Sequence, residues 1–127
     1  MNKGQLVYKG FSMECKSTIG TIGIDFDDTI SLNPEMFKDI INIFKKNEFS
    51  VIIVTARNHN DFCDLLNEFK ELVDRIIFTN GVAKEDVVSE FNINIDIWID
   101  DTPICITHSF DGDKFVPGNK ILKSGWL

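Results

Sequence analysis

The chain has 127 residues, of which 43% are hydrophobic and 26% charged, and its formal net charge is −7. This length predicts one domain with a buried core, and the composition is that of a globular protein. The absence of any apolar run near about 20 residues argues against a membrane-spanning helix, and the start MNKGQLVYKG lacks the apolar stretch of a signal peptide. The negative charge disfavours attraction to nucleic acid through a basic surface, although it leaves open a nucleic-acid end bound through a metal ion.

The three cysteines, Cys15, Cys63 and Cys105, are odd in number and have no CxxC spacing. Such a set predicts reduced thiols rather than a disulfide framework, and therefore a cytoplasmic location. We predict no structural metal site for these three residues.

Short apolar segments alternate with amphipathic ones along the chain. β-branched, continuous runs predict strands, and apolar residues recurring at the helical period predict helices. The predicted strands are residues 20–25, 50–55, 75–78 and 95–99, with 104–107 as a candidate fifth. The predicted helices are residues 34–46, opened by an Asn33 N-cap, 60–72 and 83–91. Residues 1–18 are expected to add a strand or hairpin outside this core.

This alternation predicts a single α/β domain over residues 1–127, with its core at about 20–107. We expect a doubly wound, Rossmann-like parallel sheet with right-handed crossovers and helices on both faces. In such sheets, ligands bind beyond the carboxyl ends of the strands, near the topological switch point. The strand ends are therefore where functional residues are expected.

The predicted strand ends carry acids, hydroxyls and two cations. They are DFDDT (residues 25–29), TAR (55–57), Lys84 after the third strand, and the pair Asp100-Asp101. Carboxylates held close together cannot all remain ionised unless a cation neutralises them. Hard oxygen ligands suit Mg²⁺, which also accepts phosphate oxygens. Lys84 and Arg57 add positive charge suited to a phosphoryl group, and one Asp is left free to attack phosphorus.

The four strand ends, in this order, resemble the motifs of the haloacid dehalogenase superfamily of phosphohydrolases. Its first motif, DxDx[TV], is matched by Asp25-Phe26-Asp27-Asp28-Thr29, and its second, a strand ending in Thr or Ser, by Thr55. Its third, a Lys near a helix start, is matched by Lys84, and its fourth, an acidic pair after a strand, by Asp100-Asp101. Together the motifs span roughly residues 20–103, most of the chain.

The resemblance implies roles for individual residues. Asp25 is implied to be the nucleophile, which forms an aspartyl-phosphate and binds Mg²⁺ through its other oxygen. Asp27 is implied to protonate the leaving alkoxide and then to activate water, while its backbone carbonyl binds the metal. Thr55 and Lys84 are implied to hold the phosphoryl group, and Lys84 also to steady Asp25. Asp28 occupies the variable position of the motif and is expected to be structural.

The acidic pair and Arg57 are assigned less directly. Asp101 is the expected direct metal ligand, because it falls where related sequences place the acid of a Gly-Asp motif, and Asp100 is expected to support it. Arg57 is not a general feature of the superfamily, although phosphatase domains of phage polynucleotide kinases carry a similar Ser/Thr-x-Arg. Arg57 is therefore either a substrate contact or part of a surface ion pair.

The spacing of the motifs also bears on the substrate. Superfamily members insert cap domains soon after the first motif or between the second and third. Here residues 30–49 hold one helix, and residues 56–83 hold one helix and one strand, so neither gap accommodates a cap. An open, capless site suits a nucleic-acid end or a phosphoprotein, or a small phosphate ester if oligomerisation supplies a lid. A nucleotide and a polynucleotide 3′-phosphate both fit, and TAR slightly favours the second.

Two readings from another class stay open. One is a phosphorylatable receiver domain, which also combines acids, Thr, Lys and Mg²⁺. That class, however, places its phosphorylated Asp after the third strand, where this chain has FTNG. The other is a non-catalytic module that binds Mg²⁺ and phosphate, which would be expected to lack Asp25 or Asp27. Mg²⁺-dependent turnover of an aryl phosphate separates the enzyme from both.

Overall fold

The computed structural model of the protein describes residues 18–109 and the backbone of residues 7–9. Its strands are β1 (Val7–Lys9), β2 (Gly20–Ile24), β3 (Phe49–Thr55), β4 (Arg75–Phe78) and β5 (Ile97–Ile99). Its helices are α1 (Pro34–Lys46), α2 (Asp64–Phe69), α3 (Lys84–Glu90) and α4 (Ile104–Thr107). The sheet order is β1-β4-β3-β2-β5, with β2 to β5 parallel and β1 antiparallel to β4 at the edge. The predicted α/β class and the four predicted parallel strands are confirmed.

Buried residues of β3 alternate between the two faces of the sheet, as the two-residue period of a strand requires. Val51 and Ile53 belong to one buried cluster, which also contains residues of α1 and α2. Ile52 and Val54 belong to a second cluster, which contains Val87 of α3. The four residues VIIV at 51–54 are all apolar, as expected of a strand with a buried cluster on each side.

Helix α1 begins where the sequence predicts. The Asn33 side chain accepts a hydrogen bond from the backbone N–H of Met36 at 3.2 Å, and Pro34 occupies the first turn. Phe37 and Ile41 turn inward and are buried against the sheet.

Among the described residues, no helix is long and apolar enough to cross a membrane.

The structure corrects two predicted elements. Residues 60–72 do not form one helix, because Phe62 and Cys63 are extended between a 3-10 turn at His59–Asp61 and the shorter α2. The candidate strand at residues 104–107 is wrong, since this segment is helix α4. Pro103, with φ −58°, directs the chain into a helical turn, and the N–H of Cys105 donates to the carbonyl of Thr102 at 2.9 Å.

Gly23 of β2 has Trp98 of the neighbouring strand β5 as its register partner. A Cβ atom at Gly23 would lie 3.1 Å from the indole ring of Trp98 and 3.1 Å from Cγ2 of Ile95. The absence of a side chain at Gly23 therefore gives the Trp98 indole and the Ile95 side chain room to lie against β2.

Candidate active site

The motif DFDDT forms a tight turn directly after β2. The N–H of Asp25 donates to the carbonyl of Ile99 at 2.9 Å, which fixes the start of the turn between the two parallel strands. Asp28 has φ 58°, a left-handed conformation that Asp tolerates better than most residues, and its N–H donates to the Ser31 hydroxyl. The turn brings the Thr29 hydroxyl back to Asp25 Oδ2 at 3.2 Å. Asp28 thus shapes the turn, as the sequence predicts.

Lys84 is the charged centre of the site, on the first turn of α3. Its side chain is only 1% exposed, and its Nζ donates to Asp25 Oδ1 at 2.8 Å and to Asp100 Oδ2 at 2.7 Å. The start of α3 is held because the N–H of Ala83 donates to the Ser109 hydroxyl at 2.8 Å. The Lys84 ammonium, from the third motif, therefore connects Asp25 of the first motif with Asp100 of the fourth.

Three carboxylates, from Asp25, Asp100 and Asp101, come together at the ends of β2 and β5. Each offers one oxygen, and these three oxygens lie within 4.8 Å of one another. Asp100 uses its second oxygen, Oδ1, to accept from the N–H of Thr102 at 2.9 Å. Asp101 accepts from the hydroxyls of Thr29 at 3.3 Å and Thr102 at 3.1 Å, and it has no cationic partner among residues 18–109.

Burial sets the protonation of this cluster. Burial raises the pKa of Asp25 to about 6, although the positive charge of Lys84 opposes this shift. Burial also raises the pKa of Asp100. Burial alone would lower the pKa of Lys84, but the charges of Asp25 and Asp100 outweigh it, so the pKa of Lys84 is raised overall. Asp25 is therefore a weaker acid than an exposed aspartate, although it lies beside the Lys84 ammonium.

The donor set fits a hard divalent cation. Three carboxylates and one ammonium leave two negative charges when all are ionised, and only oxygen atoms face one another across the cluster. Oxygen donors with this charge suit Mg²⁺ better than a softer metal. Asp101 has no ion pair with Lys84, and its oxygens accept from the hydroxyls of Thr29 and Thr102.

Asp27 lies beside this cluster but has a different cationic partner. Arg57 Nε donates to Asp27 Oδ2 at 2.9 Å and Oδ1 at 3.2 Å, and Nη2 donates to Oδ1 at 2.8 Å. The pair is partly buried, with 27% of the Arg57 and 18% of the Asp27 side chain exposed. The sequence left Arg57 open between a substrate contact and a surface ion pair. In the structure it forms an ion pair, with an acid of the first motif.

Thr55 ends β3 and is fully buried. Its hydroxyl accepts from the N–H of Arg57 at 3.3 Å, and its carbonyl accepts from the N–H of Thr79 at 2.8 Å. The second of these bonds ties the end of β3 to the loop after β4. Thr55 is not among the described residues that line the small pocket at the carboxylates, so its phosphate-binding role stays a prediction.

The pocket at the carboxylates includes residues that the motifs do not identify. Its lining includes Asp25, Asp27, Lys84 and Asp100, together with Thr102 and Cys105. Burial raises the pKa of Cys105 to about 12, so its thiol stays protonated and contributes bulk rather than charge. Thr102 directly follows the acidic pair in the sequence, and this position indicates that it lies at the site. Cys105 reaches the pocket only because residues 104–107 are helical.

Comparison with protein-family models, with curated proteins and with solved structures found no match for this chain. The functional conclusion therefore rests on the residues of the site.

Proposed function

We propose that this protein is a Mg²⁺-dependent phosphomonoester hydrolase of the haloacid dehalogenase type, which acts through an aspartyl-phosphate. One observation carries the proposal: the fully buried Lys84 ammonium joins Asp25 to Asp100, and Asp101 lies within reach of both. These are residues from three separate motifs of the resemblance. The proposed architecture is the doubly wound, Rossmann-like domain of a capless member.

Asp25, Asp101 and the backbone carbonyl of Asp27 would hold the metal, with Asp100 in support. When bound, Mg²⁺ would neutralise the carboxylates and the oxygens of a phosphoryl group and so stabilise the charge that develops during transfer. The ion pair of Asp100 supports this division between the two acids. Asp100 accepts from Lys84 and from the N–H of Thr102, whereas Asp101 accepts from the hydroxyls of Thr29 and Thr102 and has no ion pair with Lys84.

Asp25 supplies the nucleophile. Lys84 holds its Oδ1 at 2.8 Å, and its Oδ2 lies 3.2 Å from the Thr29 hydroxyl, whose one proton it shares with Asp101; the ion pair with Lys84 orients the carboxylate before substrate arrives. Its pKa of about 6 means that its ionised form is less strongly stabilised than that of an exposed carboxylate. An Asp25 oxygen forms a bond to phosphorus, and the bond from phosphorus to the ester oxygen breaks.

Asp27 completes proton transfer on the opposite side of the reaction. It gives a proton to the departing alkoxide, and as a carboxylate it then takes a proton from the water that attacks the aspartyl-phosphate. That attack releases inorganic phosphate and restores Asp25. Thr55 and Lys84 hold the phosphoryl oxygens in this scheme.

The proposed substrate is a phosphorylated small molecule, a nucleotide or a nucleic-acid 3′-phosphate end. The capless interpretation is supported by the short segments between the first three motifs, which contain α1 and β3, and α2 and β4, with two 3-10 turns. A site without a cap admits a bulky end, and it admits a small ester when a second subunit encloses it.

Screening a panel of phosphate esters tests the proposal. The panel includes an aryl phosphate, nucleoside monophosphates and 3′-phosphorylated oligonucleotides, each with Mg²⁺ and with excess chelator. We expect Mg²⁺-dependent release of inorganic phosphate from at least one of them. Binding of Mg²⁺ without turnover of any ester would instead favour the non-catalytic regulatory module, and stoichiometric phosphorylation without release would favour a phosphorylatable one.

A further inference from the structure

We infer that Arg57 is a positioning residue that holds the Asp27 carboxylate for proton transfer, and that it does not itself bind the substrate phosphate. The inference rests on the proposed function and deepens it. It departs from the reading of Arg57 as a substrate contact.

Three of the five N–H donors of Arg57 bind groups of the protein. Nε and Nη2 grip both oxygens of Asp27, and Nη1 donates to the backbone carbonyl of Asp61 at 2.8 Å. The guanidinium also lies 5.2 Å from the centre of the buried Phe26 ring. Because the planar Arg57 guanidinium contacts Asp27, Asp61 and Phe26, it is held in one orientation. The Asp27 carboxylate that it binds is therefore held in one orientation as well.

The two acids of the first motif thus have separate cations. Lys84 holds Asp25 in the buried cluster, and Arg57 holds Asp27 from the loop after β3. Asp27 and Asp25 nevertheless line the same pocket. In the proposed reaction, Asp25 and Asp27 act on opposite sides of one phosphoryl group and must be kept apart. Their separate ion pairs with Lys84 and Arg57 would hold them apart.

A double-mutant cycle separates the two readings. It compares the wild-type protein with Arg57→Ala, Asp27→Asn and the double variant, using an alkyl and an aryl phosphate with Mg²⁺. If Arg57 acts through Asp27, Arg57→Ala should lower kcat for the alkyl ester by about 10- to 100-fold and leave KM within about twofold. With the aryl ester, the first release of phenol should be slowed less, because that leaving group needs little protonation. In the Asp27→Asn background, the same change should cost less than about twofold.

Two further variants guard against a folding artefact. Arg57→Lys keeps the charge but loses the two-point grip, so it should fold normally and still lose kcat. Lys38→Ala is the matched control: Lys38 is 25% exposed and also pairs with carboxylates, Glu35 at 3.1 Å and Glu68 at 2.8 Å, but on α1 and α2. It should leave turnover within about twofold of wild type.

The outcomes are distinguishable. A wild-type protein without Mg²⁺-dependent turnover of any ester overturns the proposed function, and this inference falls with it. An active wild type in which Arg57→Ala raises KM, or costs as much with Asp27→Asn as without it, overturns the inference alone and makes Arg57 a substrate contact. Normal kcat in Arg57→Lys with the alkyl ester also overturns it.

Discussion

Lys84 Nζ lies 2.8 Å from Asp25 Oδ1, although 59 positions of the chain separate the two residues. Both are buried, and the same ammonium also reaches Asp100. A cation this deep in the protein is tolerated only with charged partners. Strands β2 and β5 and helix α3 therefore depend on one another through this contact.

Replacing Lys84 tests that dependence. Lys84→Met keeps the length of the side chain but leaves the carboxylates of Asp25 and Asp100 buried without their cation. Removing one member of a buried charged group costs about 3–5 kcal/mol, so urea unfolding in chelator should show a loss of that order, and turnover should disappear. Lys46→Met, on the exposed end of α1, is the control and should change neither property. A Lys84→Met protein as stable and active as wild type would contradict the assignment.

Metal binding has a readout that does not need catalysis. Because a ligand that binds only the folded state stabilises it, Mg²⁺ should raise the Tm of the wild-type protein. The rise should be strongly reduced in Asp101→Asn and retained in Asp39→Asn, which alters an exposed acid of α1.

In activity assays, excess chelator should abolish turnover. Ca²⁺ should replace Mg²⁺ poorly, since its longer bonds and higher ligand number would misplace the nucleophile. Full activity in chelator would refute the metal site.

The pKa of Asp25 predicts how stability depends on pH in chelator. Its folded pKa of about 6 is higher than the ordinary value of 3.8, so the folded state binds more protons between these values. The free energy of unfolding should therefore fall as pH rises from about 4 to about 6, by an amount on the order of 3 kcal/mol from Asp25. Asp25→Asn should flatten the curve in this window. The raised pKa of Asp100 acts in the same direction, and the charge of Asp25 contributes to it, so Asp25→Asn should also reduce that part of the pH dependence. Parallel curves for the two proteins would contradict the burial argument.

The glycine beneath Trp98 gives a prediction about the fold alone. Gly23→Ala places a methyl group 3.1 Å from the indole and from Ile95, and overpacking of this kind costs about 1–3 kcal/mol. The midpoint of urea unfolding should fall, while the Mg²⁺-induced rise in Tm remains. An unchanged midpoint would show that β5 moves aside without cost.

The central elements could be predicted from sequence because each has a local cause. The β-branched run of β3, and Asn33 with Pro34 at the start of α1, determine their structures within a few residues. Residues 104–107 have an apolar pattern that is too short to separate a strand from a helix. There the turn at Thr102 and Pro103 decides, through contacts with the acidic pair.

The site was partly predictable for a similar reason. Parallel strands bring their carboxyl ends to one edge, so the meeting of Asp25, Lys84 and the acidic pair followed from topology. The pairing of Arg57 with Asp27 did not, because it depends on side-chain directions in two loops. The sequence TAR alone does not indicate whether Arg57 contacts a substrate or forms an ion pair with an acidic side chain.

The most direct test of the account is rapid mixing of two variants with an aryl phosphate and Mg²⁺. Asp27→Asn keeps the nucleophile but lacks the base for water, so it should release one equivalent of phenol in a burst and then turn over slowly. Asp25→Asn should show no burst and no turnover, because an amide is a far weaker nucleophile than a carboxylate. The phosphoryl group trapped in Asp27→Asn should map to the peptide containing Asp25. A burst in Asp25→Asn, with Asp27 intact, would contradict the account by showing that another group attacks phosphorus.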